Sequence, residues 1–225
     1  MNLRRKAFLL GAGGHAKMVI EAIRTQNNLE IICCLASDAS RDETLLGVPV
    51  QEESKELLVE FQTRGFVGFV AVGDNRLRKR LFNQLQDLGL ELPSAIANTA
   101  YVSSSATIGQ GTVVMPGAIV GADTVVGNGC ILNCGCSIDH DNRVNDFVHI
   151  GPGSHLAGNV KVNEGAFLGV GTSIIPERTI GCWTIVGAGA VVLENVPPNE
   201  VWVGCPARKL PNTKAFEIPH RRISA

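Results

Sequence analysis

Between Val102 and Val192 every sixth residue is aliphatic: Val102, Ile108, Val114, Val120, Val126, Leu132, Ile138, Val144, Ile150, Leu156, Val162, Leu168, Ile174, Ile180, Val186 and Val192. Sixteen successive positions follow this rule without a slip. The residue four places later is mostly small, as at Ala106, Thr112, Ala118, Thr124, Cys130, Cys136, Ser154, Ala166, Thr172, Thr184 and Ala190. The residue directly after the aliphatic one is often glycine, as at Gly109, Gly127, Gly151, Gly169 and Gly187. A period of six predicts one short strand and one turn per repeat. Three repeats close a triangular coil, so residues eighteen apart stack about 4.8 Å from one another in parallel sheets. The columns expected are Val102/Val120/Ile138/Leu156/Ile174/Val192, Ile108/Val126/Val144/Val162/Ile180 and Val114/Leu132/Ile150/Leu168/Val186.

The chain before this repeat is patterned differently. Ala7–Leu10, Ile31–Leu35 and Phe66–Val72 are short apolar runs and predict strands. Between them lie helical patterns over about His15–Thr25, Glu52–Arg64 and Arg76–Leu88, the last a basic amphipathic stretch. Alternating strands and helices predict a small parallel sheet of doubly wound, Rossmann-like type.

Composition supports the division. Eight glycines lie in residues 1–95 and seventeen in 96–205. Residues 1–95 carry twelve basic and twelve acidic side chains, and residues 96–205 carry three and eight. The last twenty residues carry five basic and one acidic. A boundary near Pro93-Ser94 gives three units: a sheet domain at 1–95, a coil domain at 96–205 and a basic tail at 206–225. The formal net charge of −1 over 225 residues argues against a broad nucleic-acid footprint. No apolar run approaches the roughly 18 residues that span a bilayer. The basic start, Arg4-Arg5-Lys6, leads through a short apolar run into Gly11-Ala12-Gly13-Gly14-His15, which reads as a strand entering a loop and not as a signal peptide. Seven cysteines without a CxxC pair fit free thiols in a reducing cytoplasm.

Three loops are candidates for ligand binding: Gly11, Gly13, Gly14 and His15; Ser37 and Asp38; and Gly73, Asp74 and Asn75. Each follows a predicted strand, where an open α/β sheet places its ligand. The first opens a helix, whose N-terminus favours phosphate. A tight strand-to-helix turn with no ligand is the alternative account of that loop. In the repeat, His140 falls on the coil's exterior near a corner, flanked by Asp139 and Asp141. A carboxylate that orients an imidazole makes a general base. A solvated surface histidine is the alternative, and either aspartate can be the partner. Asn142 takes a usually small interior position and would buttress the His140 turn. Cys130, Cys134, Cys136 and His140 suit zinc by type but lack paired spacing, and interior cysteine is the preferred account. No metal is expected.

With these residues in place, the chain resembles the hexapeptide-repeat acyltransferases. The ending Gly204-Cys205-Pro206-Ala207-Arg208 is similar to that family's Gly-x-Pro-Ala-Lys/Arg segment. The loops ahead of the repeat resemble those of the subgroup that contains sialic-acid O-acetyltransferases and nucleotide-amino-sugar N-acetyltransferases. This resemblance implies a left-handed parallel β-helix, a homotrimer and acetyl-CoA as co-substrate. It implies that the sheet domain holds a nucleotide-linked amino-sugar, with a 4-amino-deoxysugar first in expectation, for surface glycan biosynthesis. By the same resemblance His140 and Asp141 are catalytic, and His149, Val170, Gly171 and Ala188 contact acetyl-CoA. Gly158, one coil past His140, is a candidate oxyanion donor, and Arg208 and Lys209 are candidates for the CoA phosphates. His155 reads either as a second acetyl-CoA contact like His149 or as a corner histidine. O-acetylation of a sialic acid or related sugar, and a non-catalytic sugar-nucleotide scaffold, remain as other readings.

Overall fold

In the computed structural model, which describes residues 4–211, the chain begins with a five-stranded sheet. Strand β1 (Arg5–Leu10) leads into helix α1 (Gly14–Gln26) and β2 (Leu29–Ala36). A hairpin of β3 (Thr44–Leu45) and β4 (Val48–Glu52) follows, then α2 (Lys55–Thr63), β5 (Val67–Val70) and α3 (Asn75–Asp87). The sheet order is β3-β4-β2-β1-β5, parallel except for the β3–β4 pair. The hairpin corrects the helix expected from Glu52. That residue ends β4, and the helix starts at Lys55 because the Ser54 side chain caps it by accepting from the Leu57 N–H.

Alternation along β1 accounts for helices on both sides of the sheet. Ala7 and Leu9 pack in one cluster with Val19, Ile20 and Ile23 of α1. Phe8 and Leu10 point the other way, into a cluster with Leu58 and Phe61 of α2 and Leu81 and Leu85 of α3. Successive strand side chains face opposite sides, so a strand buried on both faces is apolar throughout.

Strand β6 (Ala95–Ile96) opens the coil domain one repeat ahead of Val102. From there two-residue strands stack into three sheets of a left-handed parallel β-helix. Face one runs from β6 through Ile131–Leu132, His149–Ile150, Phe167–Leu168 and Ile185–Val186 to Val201–Val203, and closes on the antiparallel Arg208–Lys209. Face two runs from Tyr101–Val102 through Ser137–Ile138 and His155–Leu156 to Val191–Val192. Face three runs from Thr107–Ile108 through Arg143–Val144 to Thr179–Ile180. Residues eighteen apart pair in every sheet, in the columns that the repeat predicts. The aliphatic residues from Val114 to Val192 are buried, with Cys130 and Cys136 among the enclosed small residues. Burial pushes both of those thiols up to about 12.

The third residue after each aliphatic position turns the corner with a positive φ, from Gly111 to Gly189. Six of these corners are not glycine, and two of the six are aromatic. Phe147 lies over Gly129, where a Cβ would come within 2.6 Å of the ring. Trp183 lies over Gly165 in the same way. Both rings sit on the edge between faces three and one, and α3 docks there. Phe82 meets Phe147 edge-on at 5.4 Å, and the Arg76 guanidinium lies 4.3 Å from the Trp183 ring. Lys79 pairs with Glu164. Face one is covered by the α1 side of the sheet domain, leaving Val113 and Ile131 buried.

Candidate active site

Strands β2 and β5 flank β1, so the three sheet-end loops adjoin. Gly11 has φ 120°, and a Cβ there would fall 2.8 Å from the Ala71 carbonyl oxygen. Only glycine fits where the loops after β1 and β5 come this close. Gly13 is the N-cap of α1, Gly14 opens the helix, and Ser37 and Asp38 follow β2. The loop after β5 also builds the junction between the domains. The Asp74 carboxylate caps α3 by accepting from the Leu77 N–H at 2.6 Å. Asn75 is buried, and its amide donates to the Gly165 and Ala166 carbonyls at 3.0 and 3.1 Å.

Two imidazoles lie where the sheet end meets face one. His15 and His149 have ring centroids 6.4 Å apart. His15 Nε2 is enclosed and has no partner among the described residues. Burial, and then the Arg78 charge, bring the His15 pKa down to about 4. His149 Nδ1 lies 3.3 Å from the Gly73 carbonyl, and its Nε2 lies 3.3 Å from Asn133 Nδ2. Phe167 packs against its ring edge-on at 5.0 Å. Burial, followed by the charges of Arg78 and His15, holds His149 well below the ordinary imidazole range. Sequence reasoning missed Arg78 and Asn133. Arg78 falls in line with Leu81, Phe82 and Leu85, which is the spacing of a buried helix face, and that spacing was the available signal.

His140 is placed otherwise, on the edge between faces two and three, with more than half of its side chain exposed. Its Nδ1 lies 2.8 Å from Asp141 Oδ2, while Asp139 Oδ1 accepts from the His140 backbone N–H at 2.8 Å. The two aspartates therefore have separate tasks: Asp141 holds the ring and Asp139 holds the turn. Asp141 reaches because it occupies the corner with φ 59°, beside its neighbour's ring. The Asp141 hydrogen bond, and then the Asp139 charge, raise the His140 pKa above its ordinary value. Beneath the turn, buried Asn142 donates to the carbonyls of Asp139, His140 and Ala157 at 2.8, 3.1 and 3.0 Å. Its Oδ1 accepts from the Val160 N–H at 3.1 Å. Gly158 lies against the imidazole, where a Cβ would come 2.7 Å from Nε2. The Gly158 N–H finds no acceptor among the described residues.

The other candidates lie apart from His140 within one chain. Val170, Gly171 and Ala188 share the edge between faces one and two with Asn133, and Val170 is 58% exposed. His155 is not at a corner. It points outward from face two, with its Nδ1 2.7 Å from Ser137 Oγ. Arg208 and Lys209 form the last strand of face one and pair with Glu194 and Glu200. Most of the basic tail, residues 212–225, lies outside the described residues. Among the described residues no group of three or more His, Cys, Asp or Glu side chains is arranged to hold a metal ion. No helix among them is long and apolar enough to cross a membrane.

Residues 6–85 match the family described as the PglD N-terminal domain. A GDP-perosamine N-acetyl transferase from Caulobacter crescentus was solved as a His-to-Ala variant in complex with CoA and GDP-perosamine. It is 41% identical over 92% of this chain and 97% of that one, with a TM-score of 0.88. The chain belongs to the hexapeptide-repeat acetyltransferases that carry a PglD N-terminal domain. The acetyltransferase domain of PglB from Neisseria gonorrhoeae, in complex with acetyl coenzyme A, is 38% identical over 92% of this chain and 100% of that one, with a TM-score of 0.87. WeeI from Acinetobacter baumannii shares the fold of these acetyltransferases at 24% identity and a TM-score of 0.82. No curated protein sequence matches the chain.

Proposed function

We propose that the protein transfers the acetyl group of acetyl-CoA to the amino group of a nucleotide-linked amino-sugar, with His140 as general base. The observation that carries this is the exposed His140 ring, held through Nδ1 by Asp141 with Nε2 left free beside an unpaired amide. The likeness to the N-acetyltransferase solved with CoA and GDP-perosamine gives the substrate class. His140 Nε2 takes a proton as the sugar nitrogen attacks the thioester carbonyl. The oxyanion that forms accepts from the Gly158 N–H. Collapse breaks the carbon–sulfur bond, and the departing thiolate recovers the proton from the imidazolium. Asp141 steadies the charged imidazole while it exists. Base catalysis of this kind supplies about 10²–10⁴-fold, and holding both substrates together adds to it.

The sheet-end loops hold the nucleotide part, with Asp38 reading the nucleoside and the glycines of residues 11–14 meeting the phosphates. The enclosed His15 Nε2 lacks a partner that a sugar hydroxyl or amine would supply. Acetyl-CoA lies along Val170, Gly171 and Ala188, with Arg208 and Lys209 near its phosphates.

A homotrimer completes the site. Face two presents exposed Tyr101 and Ile119, and its outward column from Tyr101 to Val191 carries no Asp, Glu, Lys or Arg. Face three presents Arg143 and Lys161 instead. The edges flanking face two carry His140 on one side and Val170 and Ala188 on the other. Packing face two around a threefold axis brings the base of one protomer to the acetyl-CoA edge of its neighbour. Seven free thiols suit a cytoplasmic enzyme, and the product suits surface glycan biosynthesis.

The test is thiol release from acetyl-CoA with a panel of nucleotide amino-sugars and of sialic acids. Amino-sugar-dependent release that falls about 10²–10⁴-fold in His140→Ala supports the proposal. Release with sialic acid alone would assign O-acetylation, and release that survives the substitution would remove His140 from the mechanism.

A further inference from the structure

The basic run of α3 hides a cation that the proposed reaction does not use. Arg78 is 1% exposed. Its guanidinium has five N–H groups, and each one meets a neutral acceptor. Nε donates to the Gly129 carbonyl at 2.7 Å. Nη1 donates to the Val72 and Gly73 carbonyls at 3.2 and 3.0 Å. Nη2 donates to Asn75 Oδ1 and the Phe147 carbonyl, both at 2.8 Å. Two acceptors belong to corners of the β-helix, two to the loop after β5 and one to the first residue of α3. A methionine or leucine in this position would fill the space without taking a charge out of water, which is costly. Packing alone does not account for an arginine here.

The Gly73 carbonyl gives the reason. It accepts from Arg78 and also faces His149 Nδ1. A carbonyl only accepts, so Nδ1 carries the proton and Nε2 carries the lone pair. Asn133 Nδ2, a donor, stands opposite Nε2, as that tautomer requires. We infer that Arg78 is a positioning residue: by fixing the Gly73 carbonyl it holds His149 in the Nδ1–H tautomer and keeps the sheet-end loops in register with the β-helix edge that carries Asn133. The charged and titratable groups around His149 agree. Arg78 of α3 and His15 of α1 both disfavour an imidazolium, and Asp74 acts on Arg78 from the start of α3. Asn133 and Phe167 bring no charge. His149 is thus a fixed, neutral hydrogen-bonding group between the two substrates, whereas His140 takes and returns a proton. The inference rests on the proposed acetyl transfer only for what the held imidazole does.

Nitrogen NMR of the histidine-labelled protein tests the tautomer without any activity, with His149 assigned by its loss in His149→Gln. The expected spectrum shows Nδ1–H and no titration through the pH at which an ordinary imidazole, with a pKa of about 6.5, is half protonated. An Nε2–H tautomer, or titration at the ordinary pH, overturns the inference. In folded Arg78→Met the tautomers should mix and kcat should fall about 10²-fold, with Arg78→Lys in between. Unchanged spectrum and kcat in that variant overturn it as well. Should Arg78→Met not fold, Arg78→Lys and the unsubstituted protein decide. Inactivity of the unsubstituted protein with every amino-sugar would remove the proposed reaction and leave the tautomer measurement standing.

Discussion

Adding one methyl group at Gly158 should separate catalysis from folding. A Cβ there would lie 2.6 Å from His140 Cε1 and 2.7 Å from Nε2. Non-bonded carbons rest about 3.5–4.0 Å apart, so the ring must retreat by about 1 Å. The displaced atoms include the nitrogen proposed to take the proton, and the movement strains the 2.8 Å bond to Asp141. A misplacement of about 1 Å can cost about 10²-fold in rate, or about 2.7 kcal/mol in barrier. The fold should hardly notice. Gly158 has no positive φ, so alanine strains no backbone, and the ring that must move is largely in solvent. The backbone N–H offered to the oxyanion is also retained. In Gly158→Ala, thiol release at saturating concentrations of both substrates should drop about 10²-fold, with melting temperature and oligomeric mass unchanged. A variant with undiminished kcat would refute the idea that the ring's seat on this glycine places the base.

Two further outcomes follow from the same corner. The base works when neutral, so a His140 pKa raised chiefly by Asp141 moves the acidic limb of the kcat/KM profile above that of an ordinary imidazole. Asp141→Asn should shift that limb to lower pH and lower kcat, and a limb that stays in place would argue against Asp141 as the orienting group. Asn142→Ala leaves the Ala157 carbonyl without a donor and the Val160 N–H without an acceptor among the described residues, at a cost of roughly 1–3 kcal/mol. Its melting temperature and its kcat should fall together, and an unchanged melting curve would show that the buried amide does not hold the turn.

The β-helix was legible because its signal repeats. An aliphatic residue every six positions fixes both strand and column, and Ile138 pairs with Val120 and Leu156 as the period requires. The outward position of His140 followed from the same arithmetic. The corners were harder to read, because a left-handed turn can be held by Asp141, Phe147 or Trp183 as well as by glycine. Their stacking on Gly129 and Gly165 exists only once coils are stacked. The β3–β4 hairpin is too short to carry a period of its own. Asn75 read as part of a ligand loop, yet its amide joins that loop to the β-helix. Arg78 read as one more charge of a basic amphipathic helix; its spacing with Leu81 and Leu85 signals a buried face, but the five carbonyl and amide acceptors that justify a charge there come from segments up to 69 residues away. Contacts of that kind have no local signature.

The threefold alternation of faces also sets a rule for how such a chain can lengthen or shorten. Losing six residues from the repeat would keep every aliphatic position in phase, and the stack would still close. Everything after the cut, however, would be turned by a third of a revolution against the docked sheet domain. The α3 end of the sheet domain grips the prism on both sides of His140, from Gly129 to Trp183, so a cut between Gly129 and His140 would move the dyad and the later gripped corners to a different edge of the prism. Losing eighteen residues would bring the dyad back to its own edge, one storey lower. The fold tolerates length changes in units of six, whereas the geometry of the site tolerates them only in units of eighteen.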